Sequence, residues 1–433
     1  MASADSSKRS LADGILGDRR KTLLVLGLIV VAFLLAGLVA EGGQELSSVG
    51  GGDSKFYEIM VKQWLTKGVY AYKRDTPNAV VTPGYPVVLA AVYKATGYAD
   101  RPGGPYRLIF WIQLLFAAGS VALTYFIGEE LLGRGPGLLA AALMAAFPPM
   151  IGSATDILTE PLAMLLFLGF LYAQLRAMRR GGRWLYALAG ALAAWVVMVR
   201  PSFLPLAALP FAYELLRRPR RWKTMIVPVA LFVAAFAVVV SPWVARNAIS
   251  LHRPMLLPNG RGDPVLAGVD PYHWELGPAY RYSGPSYQAY MAAHKSGKPV
   301  PPEYDMQKEQ YAYRVMGTML RHQPTRLIAW MTIGKFGAMY GRTWEGGMRN
   351  VLTLTWGVQG VLVVFGFSGV LLAFRDERLR LPALLVVVGT VALLPFVPEP
   401  RFVFGFFPLL AVLAAGALQR TFGRHEAQVA SAV

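Results

Sequence analysis

Five short stretches carry the residues whose types and spacing suit chemistry. Asp53 follows a glycine run in GGGDSKFY (50–57), with Lys55 and Tyr57 beside it. Asp156 and Glu160 stand four apart in ATDILTEP, Arg200 lies in VRPS, Arg246 and Asn247 in SPWVARN, and Glu399 and Arg401 in VPEPRF. A carboxylate can accept a proton from a hydroxyl as that hydroxyl attacks. Arginine forks can hold a phosphate and stabilise the charge it gains on leaving. Aromatic rings such as Tyr57 and Tyr85 can stack on sugars. In combination these residue types suit group transfer from a lipid phosphate.

The elements that must position them are apolar. Hydrophobic residues make up 55% of the 433 and charged residues 16%, where a soluble domain has about 25% charged. Several stretches approach the roughly 20 residues that cross a bilayer, and a chain that crosses in this pattern is helical because its backbone must be satisfied internally. Ten spans are expected, at 23–40, 106–131, 135–150, 157–175, 184–199, 202–216, 224–243, 351–374, 381–396 and 402–419. Arg200-Pro201 separates the fifth from the sixth, since proline disfavours helix in the residue before it.

The net charge of +18 sits in short connectors: Arg19, Arg20 and Lys21; Arg176, Arg179 and Arg180; Arg217, Arg218 and Arg220; Arg375, Arg378 and Arg380. That pattern follows the positive-inside rule rather than a nucleic-acid surface, with attraction to membrane lipids as a consequence. It gives a cytoplasmic tail 1–22, a membrane domain 23–420 and a cytoplasmic tail 421–433. The first apolar run reads as a retained signal anchor. Two long segments, 41–105 and 244–350, then lie outside, and all five polar stretches gather on that side. Charged residues at bilayer depth are costly and mark function by default.

Simpler roles exist for each. Asp53 would cap the helix DSKFYEIMVKQWLTK, which Gly68 stops. Asp156 and Glu160 would share one helical face as first-turn acids. Arg200 and Arg246 would reach lipid phosphates, and Glu399 with Arg401 would form a surface pair. TPGYPVVLAAVYKATG is too short to span and reads as interfacial, as does PTRLIAWMTIGKFGAMYG. The histidines lack HxxxH spacing, so no histidine metal site is indicated; a divalent ion as an assistant is left open. No cysteine is present, and no Walker A, GxGxxG, HExxH or GxSxG element.

In order along the chain, GGDSKFYEIMVKQWLTKGVY, TPGYPVVLAAVYKATG, ATDILTEPLAMLLFLGFLY, VRPSFLPL, SPWVARNAISLHRPMLLPNGRG and PEPRFVFGFFPLLAVLAAG resemble the polyprenyl-phosphate-sugar glycosyltransferases of the GT-C superfamily. The protein O-mannosyltransferases and lipid A aminoarabinose transferases belong to that group. The resemblance implies an all-α membrane bundle at the bacterial cytoplasmic membrane with its site on the outer face. It also implies an inverting transferase using a polyprenyl-phosphate-sugar donor and a lipid, glycan or protein acceptor. Asp53 would be the base, with Asp156 as the rival. Asp156 and Glu160 would lie beside acceptor or sugar, with Asn247 and Glu399 as further sugar contacts. Arg246 would hold the donor phosphate, with Arg200 and Arg401 in reserve. The chain departs from the family twice. Ser54 stands where many relatives carry a second acid. Val81-Thr82 precede Pro83 where aminoarabinose transferases carry a lysine, leaving Lys55 to substitute. A diphosphate-linked glycan polymerase or ligase, or a lipid or sugar transporter, are the competing expectations; the absence of an inverted repeat argues against the last.

Overall fold

The computed structural model describes residues 19–42, 52–259, 262–269, 303–343 and 352–432. Among these residues every regular element is a helix. The residues of the second long segment from 270 to 302, with Tyr- and Pro-rich sequence, lie outside those described.

Helix α1 (Arg19–Gly42) is the expected first span. Two short helices of the first long segment follow, α2 (Asp53–Lys67) and α3 (Gly84–Ala95). The bundle continues with α4 (Tyr106–Leu132), α5 (Arg134–Ala145), α6 (Pro149–Thr155), α7 (Glu160–Arg180), α8 (Arg183–Val199), α9 (Leu204–Arg217) and α10 (Trp222–Leu251). After α11 (Gly262–Val269) and α12 (Glu303–His322) come α13 (Pro324–Ala329), a π turn at Trp330–Gly334 and α14 (Lys335–Tyr340). The chain closes with α15 (Leu352–Leu372), α16 (Glu377–Leu393), α17 (Pro400–Val403) and α18 (Phe407–Ala432). Among the described residues, six helical stretches are long and apolar enough to cross a membrane: those of α1, α4, α7, α10, α15, and the run Pro400–Thr421.

The remaining expected spans are shorter. The sharpest difference falls at 135–150, expected as one span. Pro148 and Pro149 break it, and α5 and α6 meet at a 48° bend. Proline supplies no N–H and clashes with the preceding turn, which is the physical reason. Helix α8 has only 17 residues, and α9 and α16 each carry an internal proline.

The core is a continuous apolar cluster centred on α4, α7 and α18. Helix α18 packs on α15, α5 and α4, while α8 sits between α7 and α10. Gly190 is what lets α10 approach: a Cβ there would overlap the backbone of Phe232. Helix α3 is seated the same way. A Cβ on Gly84 would meet the Met198 backbone at 2.6 Å, and Trp195 Nε1 donates to Gly84 O at 3.1 Å.

Candidate active site

The chain enters α2 through Gly52, at φ 68° and ψ −133°, a conformation that an L side chain resists. Gly52, not Asp53, is the N-cap. Asp53 is the first helical residue and makes no capping bond. Its carboxylate is used elsewhere: Tyr72 Oη donates to Oδ1 at 2.9 Å and Arg401 Nη1 to Oδ2 at 3.1 Å. The side chain keeps 36% of its exposure, so it is held and still accessible. Burial pushes the Asp53 carboxyl up, but Arg401, the Tyr72 hydrogen bond and nearby Lys73 outweigh it and leave it lowered.

Arg401 rises from α17 and also pairs through Nε with Glu399. The ring of its neighbour Phe402 is shared by two guanidinium groups, 5.3 Å from Arg401 and 5.0 Å from Arg200. Arg200, at the end of α8, forms a 2.9 Å pair with Glu160, which is 4% exposed. Two acid–arginine pairs therefore flank one aromatic ring.

Asp156 and Glu160 do not share a helical face. Asp156 is extended (φ −109°, ψ 155°) just after α6, and Glu160 opens α7. The short break between the two helices has its backbone held by a side chain. Gln113, on α4 and 2% exposed, donates to Ala154 O at 3.0 Å and Asp156 O at 2.7 Å. Its Oε1 accepts from Tyr85 Oη at 2.7 Å. Burial, then the charge of Glu160, raise the Asp156 carboxyl above the usual range, with Arg401 opposing.

Tyr57 and Tyr85 were expected to offer ring faces to a sugar. Both are buried, packed edge-on to each other at 5.3 Å, and Tyr85 is 1% exposed. They form the floor beneath the carboxylates. Lys55 is exposed on α2. Instead Lys73, at a left-handed φ of 58°, brings its ammonium over the Phe56 and Tyr72 rings at 4.6 and 5.3 Å.

Arg246 and Asn247 lie apart from these pairs. Arg246 donates to Tyr70 O at 2.8 Å and Asn78 O at 2.9 Å, and so ties α10 to the segment between α2 and α3. Asn247 is fully buried; it accepts from Arg246 and donates to Met255 O at 2.9 Å. Both residues are engaged in holding backbone.

Sequence reasoning missed Tyr72, Lys73 and Gln113. Gln113 had a readable signal, a lone amide in the apolar run YRLIFWIQLLFAAG. Among the described residues, no group of three or more His, Cys, Asp or Glu is arranged to hold a metal ion.

A family model described as dolichyl-phosphate-mannose-protein mannosyltransferase matches residues 102–245, which include Gln113, Asp156, Glu160 and Arg200. Among curated proteins, no sequence match is found. The Archaeoglobus fulgidus oligosaccharyltransferase, tethered with an acceptor peptide containing the NVT sequon, superposes with a TM-score of 0.55 at 14% identity, covering 94% of this chain and 50% of that one. The same enzyme in complex with Zn and sulfate gives 0.52 at 16% identity, with 95% and 50% covered. The chain thus spans about half the length of that protein. ArnT from Cupriavidus metallidurans bound to undecaprenyl phosphate gives 0.45 at 15% identity, covering 93% and 80%. The protein has the all-helical GT-C fold of integral-membrane glycosyltransferases. Within that class, its segment 102–245 is similar to the dolichyl-phosphate-mannose-protein mannosyltransferases.

Proposed function

We propose that the protein is an inverting glycosyltransferase. It moves a sugar from a polyprenyl-phosphate donor to a hydroxyl of a lipid, glycan or protein, on the outer face of a bacterial cytoplasmic membrane. The observation that carries this reading is the accessible Asp53 carboxylate, fixed between Tyr72 and Arg401 beside the Arg200–Glu160 pair. The acceptor O–H gives its proton to Asp53 as its oxygen bonds to the anomeric carbon. The bond from that carbon to the phosphate oxygen breaks, and the polyprenyl phosphate leaves with the electron pair. Attack from the side opposite the leaving group inverts the centre. Arg401 and exposed Lys73 are the cations that act on this carboxylate, Arg200 shares the Phe402 ring with Arg401, and these three take the phosphate role expected of Arg246 and Lys55. A positioned base contributes roughly 100- to 10,000-fold.

The outer-face assignment is supported by charge. The Asp53 end holds balanced acid–arginine pairs, whereas the other end of the bundle holds Arg176, Arg179, Arg180, Arg217, Arg218 and Arg378, as the positive-inside rule requires.

The test is transfer by purified Asp53→Asn protein with polyprenyl-phosphate-sugar, polyprenyl-diphosphate-sugar and nucleotide-sugar donors. The wild type is expected to use the monophosphate lipid, and the variant to bind it without turnover. Use of a nucleotide sugar with no lipid intermediate overturns the proposal.

A further inference from the structure

The opposite end of the bundle carries a cavity about 420 Å³ in volume. Helix α7 runs from Glu160 to Arg180, so at 1.5 Å per residue the two sites are roughly 30 Å apart. The walls of the cavity are of two kinds. Leu131, Leu175, Met178 and Leu381 form an apolar side, while Arg179, Arg217, Arg218 and Arg378 bring guanidinium groups to a polar side that also holds Tyr213, Glu214 and Glu377.

The acids at this end do not balance those cations. Glu130 alone faces Arg176, Arg179 and Arg180 at 3.3, 3.7 and 3.6 Å. Asp376 is shared by Arg378 at 2.8 Å and Arg420 at 3.5 Å. Glu377 is shared by Arg217 at 2.6 Å and Arg380 at 3.7 Å. Glu214, buried to 8% exposure, serves Arg218 at 3.4 Å. Glu129 serves Arg134 at 3.5 Å. Of the residues that line the cavity, four guanidinium groups (Arg179, Arg217, Arg218, Arg378) face two carboxylates (Glu214, Glu377), so its mouth keeps a surplus of positive charge.

Exposed apolar residues mark the level of this mouth. Leu216 is 84% exposed, Phe374 82%, Trp184 67% and Trp222 54%. Tryptophan and large apolar side chains exposed beside a basic rim are the signature of the membrane–water boundary. A cavity that is basic, half apolar and opens at that boundary meets a headgroup phosphate and its acyl chains together.

We infer that this cavity binds the headgroup of one anionic phospholipid, its phosphate held by Arg217, Arg218 and Arg378 and the first carbons of its chains against the apolar side at Leu131, Leu175 and Leu381. A soluble phosphate shares the polar half of this chemistry, but the apolar wall selects the lipid. The site does not depend on the glycosyltransferase reading.

Native mass spectrometry of the full chain, exchanged into detergent with phosphatidylglycerol or phosphatidylcholine, reads the inference directly. Retention of phosphatidylglycerol over phosphatidylcholine is expected. Arg217→Gln with Arg378→Gln is expected to lower it by about fivefold per charge, the effect of one basic residue at an anionic surface. Glu214→Gln removes a competing acid and is expected to raise retention, a direction that general damage to the fold does not produce. Inorganic pyrophosphate is expected to displace little lipid. Equal retention of both lipids overturns the inference, as does unchanged or lower retention in Glu214→Gln. Displacement by pyrophosphate at comparable concentration overturns it in favour of a soluble ligand.

Discussion

Gln113 holds the backbone of Asp156, not its carboxylate: the amide donates to the Asp156 carbonyl at 2.7 Å and leaves the side chain unengaged by it. One buried residue on α4 thereby sets where an acid of the α6–α7 break can point. The same amide accepts from Tyr85 and from Leu158 N, so its donors and its acceptor are all in use.

Gln113→Glu tests this arrangement. The carboxylate keeps the acceptor role and loses both donors, leaving two buried carbonyls short of a partner at about 1–3 kcal/mol each. A lowered melting temperature is expected, with a fall in turnover of up to roughly 100-fold where Asp156 lies beside acceptor or sugar, since a misplacement of about 1 Å has that effect. Turnover equal to wild type removes Asp156 from the reaction.

Arg401→Gln takes away the first of the influences that hold the Asp53 carboxyl down against burial. Its pKa therefore rises, and the carboxylate forms only at higher pH. The acid limb of the pH–rate profile is expected to move upward, with a lower plateau. An unmoved acid limb in a variant that still turns over assigns the limb to another group, with Asp156 the first to examine.

Arg246→Ala separates the sequence expectation from the geometry. A phosphate-binding arginine would affect donor use selectively. Bonded to Tyr70 O and Asn78 O, Arg246 is expected to affect donor and acceptor alike. Hydrogen bonds from a charged group contribute about 1.5–3 kcal/mol, so the melting temperature is also expected to fall. A donor-selective rise in KM at unchanged stability returns the phosphate role to Arg246.

Lys335 gives a pH signature of its own. It is fully buried on α14, and its ammonium donates to Leu394 O and, at 2.9 Å, to Phe396 O. Burial lowers its pKa from 10.5 to about 7. Between those values the unfolded chain binds a proton that the folded protein does not, so stability rises with pH across that window. Below pH 7 the cost of burying the charge is present in full. The rise in melting temperature from pH 7 to pH 10 is expected to be smaller in Lys335→Met; an identical rise means that the amine is solvated.

The bundle and the gathering of acids and arginines at one end were legible because apolar length and charge placement are local properties of the sequence. What was not legible depends on distant contacts. Nothing near Asp53 names Tyr72 or Arg401 as its partners, and nothing near Arg246 names the carbonyls of Tyr70 and Asn78. The separation of Asp156 from Glu160 was readable in part, since Pro161 disfavours helix in the residue before it and so argues against one helix through 156–160. The left-handed turn at Lys73 carries no glycine or asparagine to announce it.

The Asp53–Arg401 pair spans 348 positions of the chain. At roughly 5–20 residues per second of synthesis, Arg401 leaves the ribosome some tens of seconds after Asp53. Through that interval the first carboxylate has Lys73 but not its Arg401 partner, and a chain that has inserted α1 to α16 still lacks that pair. On the glycosyltransferase reading, chains truncated before α17 are expected to be catalytically silent however well their earlier spans have folded.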